Sequence, residues 1–135
     1  MTAKILIVED EILVGMMLKK KIEKHGYVVD DIATSGEEAI EMAESGNPDL
    51  LFMDVSLPGS LDGVDTAIKI KEKRDIPVIF FTGNHRDENL IRRSEKVKPV
   101  AILDKMGSFA EVICSMQKAL SSSNASGKDK LSSSA

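Results

Sequence analysis

The chain predicts an α/β protein, a doubly wound (βα)5 domain whose five parallel strands lie in the order 2-1-3-4-5 with helices on both faces. Short apolar runs recur along it: "KILIV" (4 to 8), "YVVDDIA" (27 to 33), "LLFM" (50 to 53), "IPVIFF" (76 to 81) and "VAIL" (100 to 103). Longer stretches of helical period separate them, the pattern of a parallel sheet buried on both sides. Right-handed crossovers between such units favour this strand order and put ligands at the carboxyl ends of the strands.

The helices follow from their caps and periods. Glu11 to His25 reads as the first, closed by Gly26, and Ser35 to Ser45 as the second, closed by Gly46. Ser35 with Glu38 three residues on has the spacing of a capping box, and Ser108 with Glu111 repeats it at the start of the fifth helix. A third helix is expected from Gly63 to Arg74 and a fourth from Arg86 to Val97. On the fifth, Phe109, Val112, Ile113, Met116 and Leu120 share one face. On the first, the expected buried stripe is Val14, Met17, Leu18, Ile22 and His25, which leaves Ile12, Leu13 and Met16 partly off it as a candidate docking patch for a partner helix. Residues 1–120 are thus expected to form one domain. The Ser-rich remainder, 121–135, offers almost nothing to bury and is expected to be a disordered tail or a linker stub.

A net charge of -4 argues against general affinity for nucleic acid or an anionic membrane, both of which need a basic surface. Arg86, Arg92, Arg93, Lys96 and Lys98 read as solvated helix faces. The lone Cys114 cannot form an internal disulfide and reads as a small helix hydrophobe. With no apolar run long enough to cross a bilayer and no signal peptide, the expectation is a soluble, cytoplasmic protein.

Chemistry gathers at the strand ends. Strand 3 carries an apolar run into Asp54, and strand 1 beside it ends in "VEDE", so Glu9 and Asp10 emerge one strand spacing away, about 4.8 Å. Carboxylates that close repel one another strongly, which calls for a positive partner, and a hard divalent cation with oxygen ligands, Mg2+ rather than a calcium cage, fits best. Strand 4 ends in "FFTGN" and presents the Thr82 hydroxyl on the other side of Asp54. Strand 5 ends in "ILDKM", where Lys105 can lean back over about 10 Å. Lys98, at the amino end of that strand, lies on the opposite edge. A metal, a carboxylate, a hydroxyl and an ammonium around one point can stabilise a phosphoryl group in transfer to an aspartate nucleophile, Asp54.

The motifs "VEDE", "FMDVSLPGSLDG", "FFTGN" and "ILDKM", in this order over residues 4 to 120, resemble the receiver domain of bacterial and archaeal response regulators. The resemblance implies Asp54 as phosphoacceptor, Glu9 and Asp10 as the acidic pair serving Mg2+, the backbone carbonyl of Ser56 as a further metal ligand, Thr82 as the switch hydroxyl and Lys105 as the phosphate-binding lysine. It implies a signalling switch rather than an enzyme for a separate substrate: the domain promotes phosphoryl transfer to its own Asp54 and its own dephosphorylation. The donor would be a phosphohistidine on a sensor histidine kinase or phosphotransfer protein. The surface of strand 4, helix 4, strand 5 and helix 5 would be the output face, read by a protein partner, with helix 4, strand 5 and helix 5 a candidate homodimer interface; with no DNA-binding module read after helix 5, the expectation is either a stand-alone receiver acting by contact, without direct DNA binding, or a piece cut from a longer protein. Three features depart from the family's usual pattern: Met106 stands where proline commonly follows the lysine, Ile102 where an aromatic residue is usual, and the loop after Asp54 is one residue longer. Ser56 and Asn84 occupy the positions that tune the phosphoryl lifetime in this family.

Rival readings from other classes compete with this one. A flavodoxin-like electron carrier shares the fold, but Glu9, Asp10 and Glu11 would repel the phosphate its first loop must cradle. A pseudo-receiver would keep the fold as a phosphorylation-independent interaction scaffold.

Overall fold

In the computed structural model, residues 2–83 and 88–134 are described, with side chains as far as Ser121. The strands are β1 (Lys4–Val8), β2 (Val28–Ala33), β3 (Leu50–Asp54), β4 (Val78–Thr82) and β5 (Ala101–Asp104), and the helices between and after them are α1 (Ile12–Lys24), α2 (Gly36–Gly46), α3 (Gly63–Lys73), α4 (Glu88–Lys96) and α5 (Phe109–Ser134). All pairings are parallel and the order is β2-β1-β3-β4-β5, as the sequence predicts.

The unbroken apolar runs follow from burial on both sides, because successive side chains on a strand point to opposite faces. Ile5, Ile7, Leu50, Phe52, Ile79 and Phe81 face one way and pack with Ile22 of α1 and Val112, Ile113 and Met116 of α5. Leu6, Val8, Leu51, Met53, Val78 and Phe80 face the other and pack with Ala39 and Ala43 of α2, Val64, Ala67 and Ile70 of α3, and Leu90 of α4. Each such large side chain, fully buried, contributes about 1.5–3 kcal/mol. Every residue of β3 and β4 is buried, so the reactive strand ends rest on a rigid support.

The caps hold the helices in register with that sheet. The Glu38 amide donates to Ser35 Oγ at 3.1 Å and the Glu38 carboxylate accepts from the Thr34 amide at 3.1 Å, a near-reciprocal capping box. The Glu111 amide reaches Ser108 Oγ at 3.4 Å.

Two expectations need adjustment. On α1, Met17 is 60% exposed and His25 is exposed too, stacked on Phe109 at 5.5 Å, whereas Gly15 is buried against the sheet. A Cβ on Gly15 would stand 3.0 Å from Ile32, so the helix approaches the sheet along its narrowest residue, which rotates its buried face away from Met17 and His25. Cys114 is exposed, not packed. Helix α5 continues through 121–134, and Leu120 is the last buried residue among the described side chains. Among the described residues no helix is long and apolar enough to cross a membrane.

Candidate functional site

Asp54 is the last residue of the central strand β3 and only 2% exposed. Its Oδ1 accepts the Ser56 amide at 3.0 Å and its Oδ2 accepts Lys105 Nζ at 3.0 Å. Glu9 follows β1 directly and is fully buried; its amide donates to the Ala33 carbonyl at 2.9 Å, and its Oε2 accepts the Glu11 amide at 3.2 Å. Asp10 is exposed, and one donor oxygen from each of Glu9, Asp10 and Asp54 lies within 4.8 Å of the others. The neighbouring strand ends thus bring together the three carboxylates that the sequence places there.

Lys105 completes the cluster from β5. Its Nζ is 2.9 Å from Glu9 Oε1, 3.0 Å from Asp54 Oδ2 and 3.8 Å from the exposed carboxylate of Glu11. The reach of two strand spacings predicted for the lysine is met. The backbone is fastened as well, since the Lys105 amide donates to the Thr82 carbonyl at 3.0 Å. Thr82 ends β4, is buried, and lies in register with Asp104. Ser56 is exposed and meets Asp54 through its amide. Asn84 falls outside the described residues.

The charges do not balance within the protein. Burial, and then the adjacent Asp54 carboxyl, push the Glu9 carboxyl up to about 7, against the pull of Lys105 and the Glu11 amide. Burial alone would lower the Lys105 ammonium, but Glu9 and Asp54 overcome it and hold it above its ordinary value. Glu9 Oε1 is buried and, although the ammonium is near enough to attract it, has no aligned hydrogen bond among the described residues. Three clustered carboxylates with one ammonium among them are a donor set that fits a hard, oxygen-preferring cation.

The loop after Asp54 is anchored by residues the sequence reading passed over. Leu57 is buried, Gly59 turns the chain with φ +95°, and Asp62 caps α3 by accepting the Asp65 amide at 2.9 Å. Gly63 then presses against the phosphoacceptor strand: its amide donates to the Val55 carbonyl at 2.9 Å, and a Cβ there would stand 2.8 Å from Asp54 C and from Val55 Cα. Arg93 of α4 clamps this loop to α4, with Nη1 2.9 Å from Asp62 Oδ2 and Nη2 2.9 Å from Asp65 Oδ1. Burial would raise the Asp62 carboxyl, but Arg93 and the Asp65 amide more than offset it and hold it below the usual range. The charge pattern read Arg93 as a solvated face; only the pairing of α3 with α4 brings it to its acids.

The departures from the family pattern are visible here. Met106 is 88% exposed, with its amide on Asp104 Oδ1 at 2.9 Å, and Lys105 reaches Asp54 all the same. Ile102 is half-buried against the α2–α4 face of the core. Beside the site, the first turns of α1 expose Ile12, Leu13, Met16 and Met17.

The chain is similar to several known proteins. The transcriptional regulatory protein PdtaR of Mycobacterium tuberculosis is 37% identical over 119 residues, covering 87% of this chain and 57% of that protein. ResD of Bacillus subtilis, also a transcriptional regulatory protein, is 34% identical over 92 residues, 68% of this chain and 38% of its own length. The chain therefore spans roughly half the length of these relatives or less. The signal receiver domain of a modulated diguanylate cyclase from Desulfovibrio desulfuricans superposes with a TM-score of 0.86 at 31% identity, covering 93% of this chain and 99% of that one. A CheY-like receiver domain protein from Methanospirillum hungatei shares the fold, with a TM-score of 0.86 at 22% identity over 93% of this chain and 99% of that one. The response regulator receiver domain family matches residues 5–117, and with strand order and relatives in agreement, the chain belongs to that family of two-component signalling switches.

Proposed function

We propose that this receiver accepts a phosphoryl group on Asp54 from a phosphohistidine of a sensor histidine kinase or phosphotransfer protein. The observation that carries the reading is the Lys105 ammonium held between Glu9 and Asp54 at the carboxyl end of the sheet. A carboxylate oxygen of Asp54 forms the new bond to phosphorus as the phosphorus–nitrogen bond of the donor breaks, and the electron pair leaves with the imidazole. Lys105 neutralises charge on the transferring oxygens, and Thr82 supplies a hydroxyl hydrogen bond once the group is in place. Glu9, Asp10, Asp54 and the Ser56 carbonyl would hold Mg2+, which supplies further charge neutralisation at the phosphoryl oxygens.

In this reading residues 1–120 are the receiver, residues 121–135 are a tail or linker stub, and the protein works in the cytoplasm. Phosphorylation biases a two-state surface formed by α4, β5 and α5, which a protein partner or a second copy reads, without direct contact to DNA. With Mg2+ and fluoroberyllate as a phosphoryl mimic, NMR amide shifts are expected in the wild type around Asp54, Thr82 and Lys105 and then across α4, β5 and α5. Absence of any shift would favour the phosphorylation-independent scaffold.

In this reading the donor docks on the first turns of α1, a site supported by the exposure there, where Leu13 is 74% exposed. Alanine at Leu13 and Met16 together is expected to slow transfer from a phosphohistidine protein about tenfold, the scale of two modest interface contacts, while uptake from acetyl phosphate is unchanged. Equal rates from the protein donor would exclude that surface.

A further inference from the structure

We infer that Phe81 is the positioning residue for Lys105, its ring forming the floor over which the lysine stem crosses from β5 to Asp54. This deepens the phosphoacceptor reading and rests on it for its kinetic consequence.

The sheet register sets up the crossing. Asp54 lies opposite Phe81, and Phe81 lies opposite Leu103. Side chains alternate along each strand, so Asp54, Phe81 and Leu103 point to one face, and Lys105, two residues beyond Leu103, continues that row. To reach Asp54 the lysine has to pass over the ring. Its Nζ stands 5.2 Å from the Phe81 centroid while touching Asp54 at 3.0 Å and Glu9 at 2.9 Å. That separation is within the range at which an ammonium is attracted by the negative face of an aromatic ring.

The ring is itself fixed. Phe81 is 3% exposed and packs on Phe52 with centroids 4.7 Å apart and planes tilted by 47°. A lysine stem has several rotatable bonds and a competing partner, the exposed Glu11 carboxylate at 3.8 Å. A fixed ring beneath the stem favours the buried pair over the exposed one. The stem and the ring together border a cavity of about 240 Å³ between α1 and α5, which Phe52, Leu103 and Phe109 also line. A smaller side chain at 81 would enlarge that cavity beneath the stem and give the stem an alternative resting place away from Asp54.

The test compares Phe81→Leu and Phe81→Met, which keep an apolar filling without a π face, with Phe81→Tyr, which keeps the ring. The readouts are the 15Nζ NMR signal of Lys105, seen only while hydrogen bonds slow its proton exchange, the Mg2+ affinity, and the rate of Asp54 phosphorylation by acetyl phosphate. The leucine and methionine variants are expected to lose the ammonium signal and to phosphorylate about threefold to tenfold more slowly, the scale of a cation–π contact, with Mg2+ affinity unchanged and the tyrosine variant like the wild type. If the leucine variant is too unstable to assay, the methionine variant decides alone. A retained ammonium signal in the methionine variant, or equal losses in the tyrosine variant, would overturn the role. A wild type that shows the ammonium signal but takes up no phosphate would overturn the phosphoacceptor reading instead, because the signal reports the position of the lysine without any transfer.

Discussion

Gly63→Ala is expected to destabilise the protein by about 3 kcal/mol, lowering Tm by about 10 °C, and to cut phosphorylation of Asp54 more than tenfold. The new methyl would land within the van der Waals shell of the Asp54 carbonyl and 2.8 Å from both Asp54 C and Val55 Cα. Those are backbone atoms in a fully buried strand, not the ends of flexible side chains, so the chain must move to accommodate the methyl. One way is to displace β3, which moves the phosphoacceptor relative to Glu9 and Lys105. The other is to lift α3, which breaks the Gly63 to Val55 hydrogen bond and pulls on the Asp62–Arg93 ion pair. Gly63→Ala with wild-type melting and wild-type phosphorylation would show that the loop is more compliant than its packing implies.

The second large effect is on pH dependence. The Glu9 carboxyl titrates at about 7 in the folded chain against 4.5 ordinarily, so between those values the folded state holds a proton that the unfolded chain has released. The associated stability is fully present below about pH 4.5 and is lost as pH rises through about 7. Its upper limit is a few kcal/mol, since holding one proton across each pH unit between the two values is worth about 1.4 kcal/mol. Asp62 has the opposite sign, since its carboxyl is held below 3.8 and its contribution is lost only as pH falls through that lower value, outside the window. In a chelator, Tm is therefore expected to fall between about pH 5 and about pH 8. Glu9→Gln removes the titration and should flatten that slope, and added Mg2+ should raise Tm more at the upper pH than at the lower, because the ion takes the place of the proton. An unchanged slope in Glu9→Gln would assign the effect to other groups.

Much of this was readable from the chain because its signals are local. Each apolar run ends where the sheet ends, so Glu9, Asp10, Asp54, Thr82 and Lys105 could be placed at one edge from strand boundaries and strand order alone. The cap at Ser35 is a four-residue pattern and formed as predicted, while at Ser108 the same spacing gives the Glu111 amide contact to Ser108 Oγ. What escaped depends on distances between elements. The buried face of α1 is set by how closely Gly15 approaches Ile32, which periodicity does not record. Arg93 meets Asp62 and Asp65 only because α4 packs beside α3. Phe81 looks like one more core residue until the register sets it opposite Asp54 and beneath Lys105. That pairing was within reach, since strand order and alternation together put residue 81 beside residue 54.

The measurement that bears most directly on the account is intact mass after incubation with acetyl phosphate, with and without Mg2+, for the wild type and Asp54→Asn. A gain of one phosphoryl group, about 80 Da, is expected in the wild type with Mg2+ only, stable in acid, labile in base and absent from Asp54→Asn. An adduct that persists in Asp54→Asn, or a wild type that stays unmodified in Mg2+, would contradict it.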